Sequence, residues 1–256
     1  MPETTHPRIE RALDVLDRER RLLTDERRAF RRFQRRLATI EPSPPSSPLA
    51  VASGGETVAL STGEPTPSDG LRAVRTAYRE TVMATRHFDS EYDETLRQNV
   101  TAEFGADVAT QIVDGHRLTP ILHESLETGS QQAAQERTEF LRVLDRERES
   151  LCAIREALDE CEREAHELSQ AVTDADDSVE LGRIDDRLTT LKRECTDLAG
   201  ARQTRLHKRT VGSFSGIEGD SLVDFLYGEF EATCPGLAAI TDCLASIQAI
   251  RQRCLR

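Results

Sequence analysis

Residues 130–172 hold neither Gly nor Pro and carry two apolar rows with a seven-residue step, and nothing else in the chain limits its folding choices so narrowly. Leu144, Leu151, Leu158, Ala165 and Val172 form one row; Ile154, Cys161 and Leu168 form the next. A seven-residue apolar repeat is the seam of a helix packed on another helix. Thr173-Asp174-Ala175-Asp176 reads as a turn, and Asp177 opens a capping box with Glu180. Leu181, Ile184, Leu188, Leu191, Cys195 and Leu198 then alternate by three and four. Two such helices joined by a short polar turn predict an antiparallel coiled-coil hairpin over about 130–209. The simplest register sets Val172 opposite Leu181 and Leu158 opposite Cys195.

The rest of the chain also reads as helix. Ile9, Leu16, Leu23, Phe30 and Leu37 recur every seven residues, with Leu13, Phe33 and Ile40 beside them, so residues 1–40 form an N-terminal Arg-rich amphipathic helix. Residues 41–70 contain six Pro among Ser, Gly and Thr and predict a flexible linker. A helical domain follows over 71–256. Its shorter helices are expected at about 70–99, 102–113 (capped by Thr101) and 120–127, with Gly129 as a break. A glycine-rich loop is expected at 210–219. C-terminal helices follow over about 220–254, the first capped by Asp220 and the last started by Pro235. The fold class expected is all-α: a long antiparallel coiled-coil helical hairpin plus shorter helices, with a disordered Pro/Ser/Gly linker.

Composition supports thin helical layers. Aromatics are 4% and Trp is absent, which leaves little for a multilayered core. The net charge is −12, and of the 34 basic residues only Lys192 and Lys208 are Lys. High acid content with Lys nearly absent is the balance of proteins bathed in molar salt, where the Debye length falls to about 3 Å and only contact-range pairs persist. A halophile is therefore expected. No run approaches the ~18 apolar residues of a membrane span, and no apolar segment follows Met1, so a cytoplasmic location is expected.

The strongest local anomaly is basic. Nine Arg lie between Arg18 and Arg36 against Glu19, Asp25 and Glu26. Arg28, Arg32 and Arg36 share one face. Such a helix suits phosphates, but molar salt erodes that attraction. An internal counterpart is also at hand: Glu156, Asp159, Glu160, Glu162, Glu164 and Glu167 occupy equivalent heptad positions in the long arm. Val15-Leu16-Asp17-Arg18-Glu19-Arg20 recurs as Val143-Leu144-Asp145-Arg146-Glu147-Arg148, which aligns the two stretches. Contact pairing of the Arg helix with the acidic stretch is the expectation.

No catalytic constellation is visible, so no enzyme is expected. The six Cys include no CxxC; Cys152 and Cys161, like Cys234 and Cys243, are nine apart and lack zinc-ligand spacing. They are expected to pack as small hydrophobes, with no metal and no cofactor. Asp89–Asp93 fails as a calcium loop, because Glu94 stands at the sixth position and Val100 at the twelfth. Gly212, Gly216 and Gly219 are followed by Asp220-Ser221 where a phosphate loop needs Lys-Ser/Thr. The function expected is a non-catalytic structural or protein-interaction protein. Phe30, Phe33 and Leu37, with Arg28, Arg32 and Arg36 beside them, would bind a partner helix or a second copy. The alternatives are a nucleic-acid-binding regulator using the Arg face, and a thiol sensor or enzyme of unknown type.

Several short motifs carry a resemblance: Ala77-Tyr78-Arg79-Glu80-Thr81-Val82-Met83 with His87-Phe88-Asp89, Thr119-Pro120, Val143-Leu144-Asp145-Arg146-Glu147, Leu226-Tyr227 and Cys234-Pro235-Gly236-Leu237-Ala238. Over about 70–255 the chain resembles an uncharacterised haloarchaeal all-helical family, a domain of unknown function. The resemblance implies a helical haloarchaeal protein and no catalytic residue. Six Cys exceed what such a protein needs and leave a thiol role open.

Overall fold

A computed structural model describes residues 6–43, 69–175, 177–210 and 221–254. Among these residues there are nine helices and no strand, so the fold is all-α. The linker expected at 41–70 falls, but for its ends, outside the described residues, and so does the glycine-rich loop after Thr210. The helices are α1 (Pro7–Leu37), α2 (Asp69–Arg79), α3 (Phe88–Glu91), α4 (Leu96–Phe104), α5 (Ala106–Val113), α6 (Pro120–Asp174), α7 (Ser178–Thr210), α8 (Ser221–Tyr227) and α9 (Pro235–Cys254). Contacts divide the chain into two compact units. One comprises Met1–Arg20 with Arg142–Arg256, the other Arg21–Leu141. Helices α1 and α6 contribute to both.

In the first unit, α1 and α6 run in opposite directions. Arg155 donates to Glu10 at 2.8 Å, Arg148 to Asp17 at 3.0 Å and Arg20 to Asp145 at 2.6 Å. Helices α6 and α7 are also antiparallel, with Arg187 donating to Glu164 at 2.6 Å and Arg202 to Glu147 at 2.6 Å. The heptad rows are what this packing buries: Leu144, Leu151, Leu158, Ile154 and Cys161 on α6, and Ile184, Leu188, Leu191 and Cys195 on α7. Asp177 caps α7, accepting from the backbone N–H of Val179 and Glu180. Helix α9 lies along both arms. Its Gly236 stands so close to α6 that an added Cβ would meet Ile154 and Leu151 at 3.2 Å. Arg251 near its other end donates to both carboxylate oxygens of Asp185 on α7, at 2.8 and 3.0 Å.

The second unit packs α2, α4 and α5 on the C-terminal half of α1 and the N-terminal part of α6. Phe30, Phe33, Tyr78 and Phe104 form its aromatic centre, with Phe33 edge-on to Tyr78 at 5.2 Å. The helix expected over 70–99 is three helices instead. After Arg79 the ladder loosens: Met83 N–H reaches Tyr78 O, and Thr81 Oγ1 bonds back to Ala77 O. Thr95, in extended conformation, then caps α4 in a capping box with Gln98, so the start expected at Thr101 lies within α4. Gly105, at φ 87°, separates α4 from α5. Gly129 does not break the chain either, since α6 runs through it. Its missing side chain admits the Phe104 ring, which an added Cβ would meet at 2.6 Å.

Candidate functional site

Three core positions of the first unit, one on each of α6, α7 and α9, are Cys. Cys161 belongs to the second heptad row of α6, and Cys195 continues the α7 row. Cys243 lies between Ile240 and Ile247 on the buried face of α9. Helical periodicity turns each side chain inward for the same reason it turns in a Leu. The antiparallel pairing of α6 with α7, and of α7 with α9, then brings all three to one level. The Sγ–Sγ separations are 3.3 Å for Cys161–Cys195, 3.8 Å for Cys195–Cys243 and 3.8 Å for Cys161–Cys243. No more than 5% of any of the three residues is exposed. All six Cys are free thiols.

The trio shares protons unevenly. Hydrogen bonds from Cys161 and Cys243 lower Cys195 well below the ordinary thiol value, although burial works the other way. Cys161 is raised, first by its hydrogen bond to Cys195, and Cys243 is raised by its bonds to both neighbours. A groove of about 530 Å³ reaches Cys161 and Cys195 from solvent, past Glu160, Glu164, Arg187, Glu194 and Asp197. Its rim carries four carboxylates and one guanidinium, which favours cations at the entrance. At the residue after Cys161, burial raises Glu162 while the neighbouring His6 opposes that shift. His6 lies 3.3 Å from Asp159 and 3.8 Å from Glu162.

The residues singled out from sequence are placed elsewhere. Phe30, Phe33 and Leu37 are fully buried in the second unit, so their side chains are spent on the chain's own core. Arg28 is exposed and pairs with Asp25 at 3.6 Å; Arg36 pairs with Glu80; Arg32 is exposed. Among the described residues the acidic stretch 156–167, expected to pair with an Arg face of the same chain or of a second copy, has partners within its own unit. Glu160 and Glu167 pair with Arg163 on their own helix, and Glu164 pairs with Arg187. In the first unit α1 runs against α6. In the second unit the 26–34 stretch accordingly lies beside 130–137, with Gln34 bonded to Ser130 O at 2.7 Å and Glu26 to Arg137 at 2.8 Å. Glu26 is buried there and also accepts from Tyr92 at 2.7 Å.

The thiol cluster was hidden from spacing arguments, because its members are 34 and 48 residues apart. The one available signal was that Cys161 and Cys195 occupy seam positions, which face the interior. The register shift matters as well: Cys195 meets Cys161, one helical turn beyond the Leu158 expected opposite it.

Fold and site together define a class: an all-α protein built on a long helical hairpin, with a buried three-thiol cluster where three helices converge. Residues 7–251 match the model of DUF7260, a domain of unknown function, and the chain belongs to that family. No curated protein and no solved structure matches it. No helix among the described residues is long and apolar enough to cross a membrane.

Proposed function

We propose that the chain is a non-catalytic thiol sensor, in which the chemical state of Cys161, Cys195 and Cys243 sets how firmly α9 is held on α6 and α7. The observation that carries this reading is the convergence of three thiols from three helices within 3.8 Å, beside a groove open to solvent. As free thiols they make weak hydrogen bonds. A bond formed among them converts contact into a tie. The closest pair is Cys161 with Cys195. Hydrogen peroxide would take two electrons and two protons from these thiols, forming one S–S bond and two molecules of water. That reaction ties α6 to α7 and takes from Cys243 both of its sulfur partners. The hydrogen bonds that lower Cys195 make it the member of the trio best suited to attack peroxide.

The test is a peroxide titration with disulfide mapping and hydrogen exchange. The expected outcome is a Cys161–Cys195 disulfide with loss of exchange protection in 239–247. Oxidation that leaves α9 protection unchanged, or thiols inert to peroxide in the folded protein, would overturn the reading. The acidic, Lys-poor composition supports a halophile's cytoplasm as the setting.

A second reading is anion binding by α1, and one observation favours it. Arg28, Arg31, Arg32 and Arg35 are exposed, and the acidic stretch expected to cover them is engaged elsewhere. Nucleic acid is the partner such a face fits. Changing Arg28, Arg32 and Arg36 together to Gln is expected to abolish binding in molar KCl. Absence of any binding by the unaltered protein at that salt would end this reading.

A further inference from the structure

We infer that Cys161, Cys195 and Cys243 form a three-thiolate site for a thiophilic d10 metal ion of the Zn(II) type, with the fourth coordination position left to a ligand from solvent. The inference deepens the sensor reading by naming the chemical class of what the cluster binds, and rests on it for the trio being the working site. Its basis is the shape of the sulfur triangle. A tetrahedral Zn(II) with Zn–S bonds of about 2.3 Å places its sulfurs about 3.8 Å apart. Two separations in the cluster are 3.8 Å and the third is 3.3 Å. A point equidistant from the three sulfurs of such a triangle lies about 2.1 Å from each. An ion at the Zn–S distance therefore stands about 0.9 Å out of the sulfur plane. That is close to the displacement of about 0.8 Å of an ideal tetrahedral centre with its fourth ligand on the far side.

Other features agree. Among the described residues no His, Asp, Glu or fourth Cys joins the set of donors within 4.8 Å of one another, so a fourth ligand would come from outside that set. Each ligand sits on a helix in a packed core, so the donors are held close before any ion arrives. Pure thiolate donors select soft or borderline ions over Mg(II) or Ca(II), which take oxygen. Three thiolates around a divalent ion leave one negative charge. Binding releases the thiol protons that remain, so affinity rises with pH. The acidic groove rim faces the direction from which a cation reaches Cys161 and Cys195.

The experiment uses the full chain, reduced, freed of metal with a chelator and titrated with Co(II) and then Zn(II). One equivalent of Co(II) is expected, with the sulfur-to-cobalt charge-transfer absorption of a thiolate site and the intense visible bands of a tetrahedral ion; Zn(II) should displace it. Cys161→Ser, Cys195→Ser and Cys243→Ser should each weaken Zn(II) more than about 100-fold, since disturbing even the groups behind a ligand costs 10–100-fold. Cys152→Ser and Cys234→Ser should leave affinity unchanged. Because a Ser variant could fail to fold, thiol alkylation of the unaltered protein is mapped with and without Zn(II). Protection confined to Cys161, Cys195 and Cys243 supports the site. No stoichiometric uptake, or protection at other thiols, overturns it. The two readings fail separately. Peroxide linkage that loosens α9 without metal uptake removes the metal site and keeps the sensor. Metal uptake with unchanged α9 exchange in every thiol state keeps the site and removes the sensor.

Discussion

Individual residues here do work that their type alone does not announce. Gly129, Gly182 and Gly200 all lie in helix interiors, where Ala is intrinsically better by about 1 kcal/mol. Their surroundings differ. Gly182 and Gly200 have open space where a Cβ would go, so Gly182→Ala should stabilise the protein by about 0.5–1 kcal/mol. Gly129 meets the Phe104 ring, so Gly129→Ala should destabilise by about 1–2 kcal/mol despite its better propensity. Urea denaturation of the two variants side by side checks both signs. Arg202 and Glu147 make a second contrast. They are 1% and 2% exposed and paired at 2.6 and 3.0 Å, with Tyr227 and Ser150 completing the set. Arg202→Met strands a buried carboxylate and should cost about 3–5 kcal/mol, whereas Arg202→Met with Glu147→Leu should recover most of it. Equal losses in the single and double variants would contradict that account.

Among the elements, the long helices were legible in sequence and the short ones were not. Helices α6 and α7 each carry a sustained apolar row, and the Asp177 cap follows from local chemistry. Asp177→Ala should cost about 1 kcal/mol, measurable as a lower denaturation midpoint. Between Arg79 and Leu96 no comparable row exists. There the chain's course is set by Thr side chains that bond backbone and by what the neighbouring aromatics leave room for, and a periodicity argument has nothing to hold. The α7–α9 junction offers a pH test. The hydrogen bond from Arg251 lowers Asp185 below the ordinary carboxylate value, more than burial raises it. A carboxyl with a lowered folded-state pKa contributes stability above its unfolded value and loses it as pH falls through the folded value. Arg251→Gln should therefore cost up to about 1 kcal/mol near neutral pH, since the pair is partly exposed. The difference from the unaltered protein should vanish in acid below the folded-state value; a difference that persists there would mean packing, not charge, holds the junction.

The molecule as a whole carries net charge −12, and its ion pairs are mostly at contact distance near the surface. Self-repulsion among unpaired carboxylates weakens as salt shortens the Debye length from about 10 Å at 0.1 M to about 3 Å at 1 M, while contact pairs persist. The thermal midpoint should rise between 0.1 and 2 M KCl; a midpoint that falls would show that screened pairs outweigh relieved repulsion. The sequence by itself determined the all-α class, the inward face of each long helix, the hairpin and the cap that starts its second arm. These follow from periodicity and capping, which act over a few residues and need no knowledge of distant chain. Only the tertiary structure decided that α1 runs against α6 and that three seam cysteines meet. A helix shows which side turns inward but not which partner it meets, in which direction or at what level. Those choices depend on how loops close and cores fill over tens of residues, and the thiol cluster exists only once they are made.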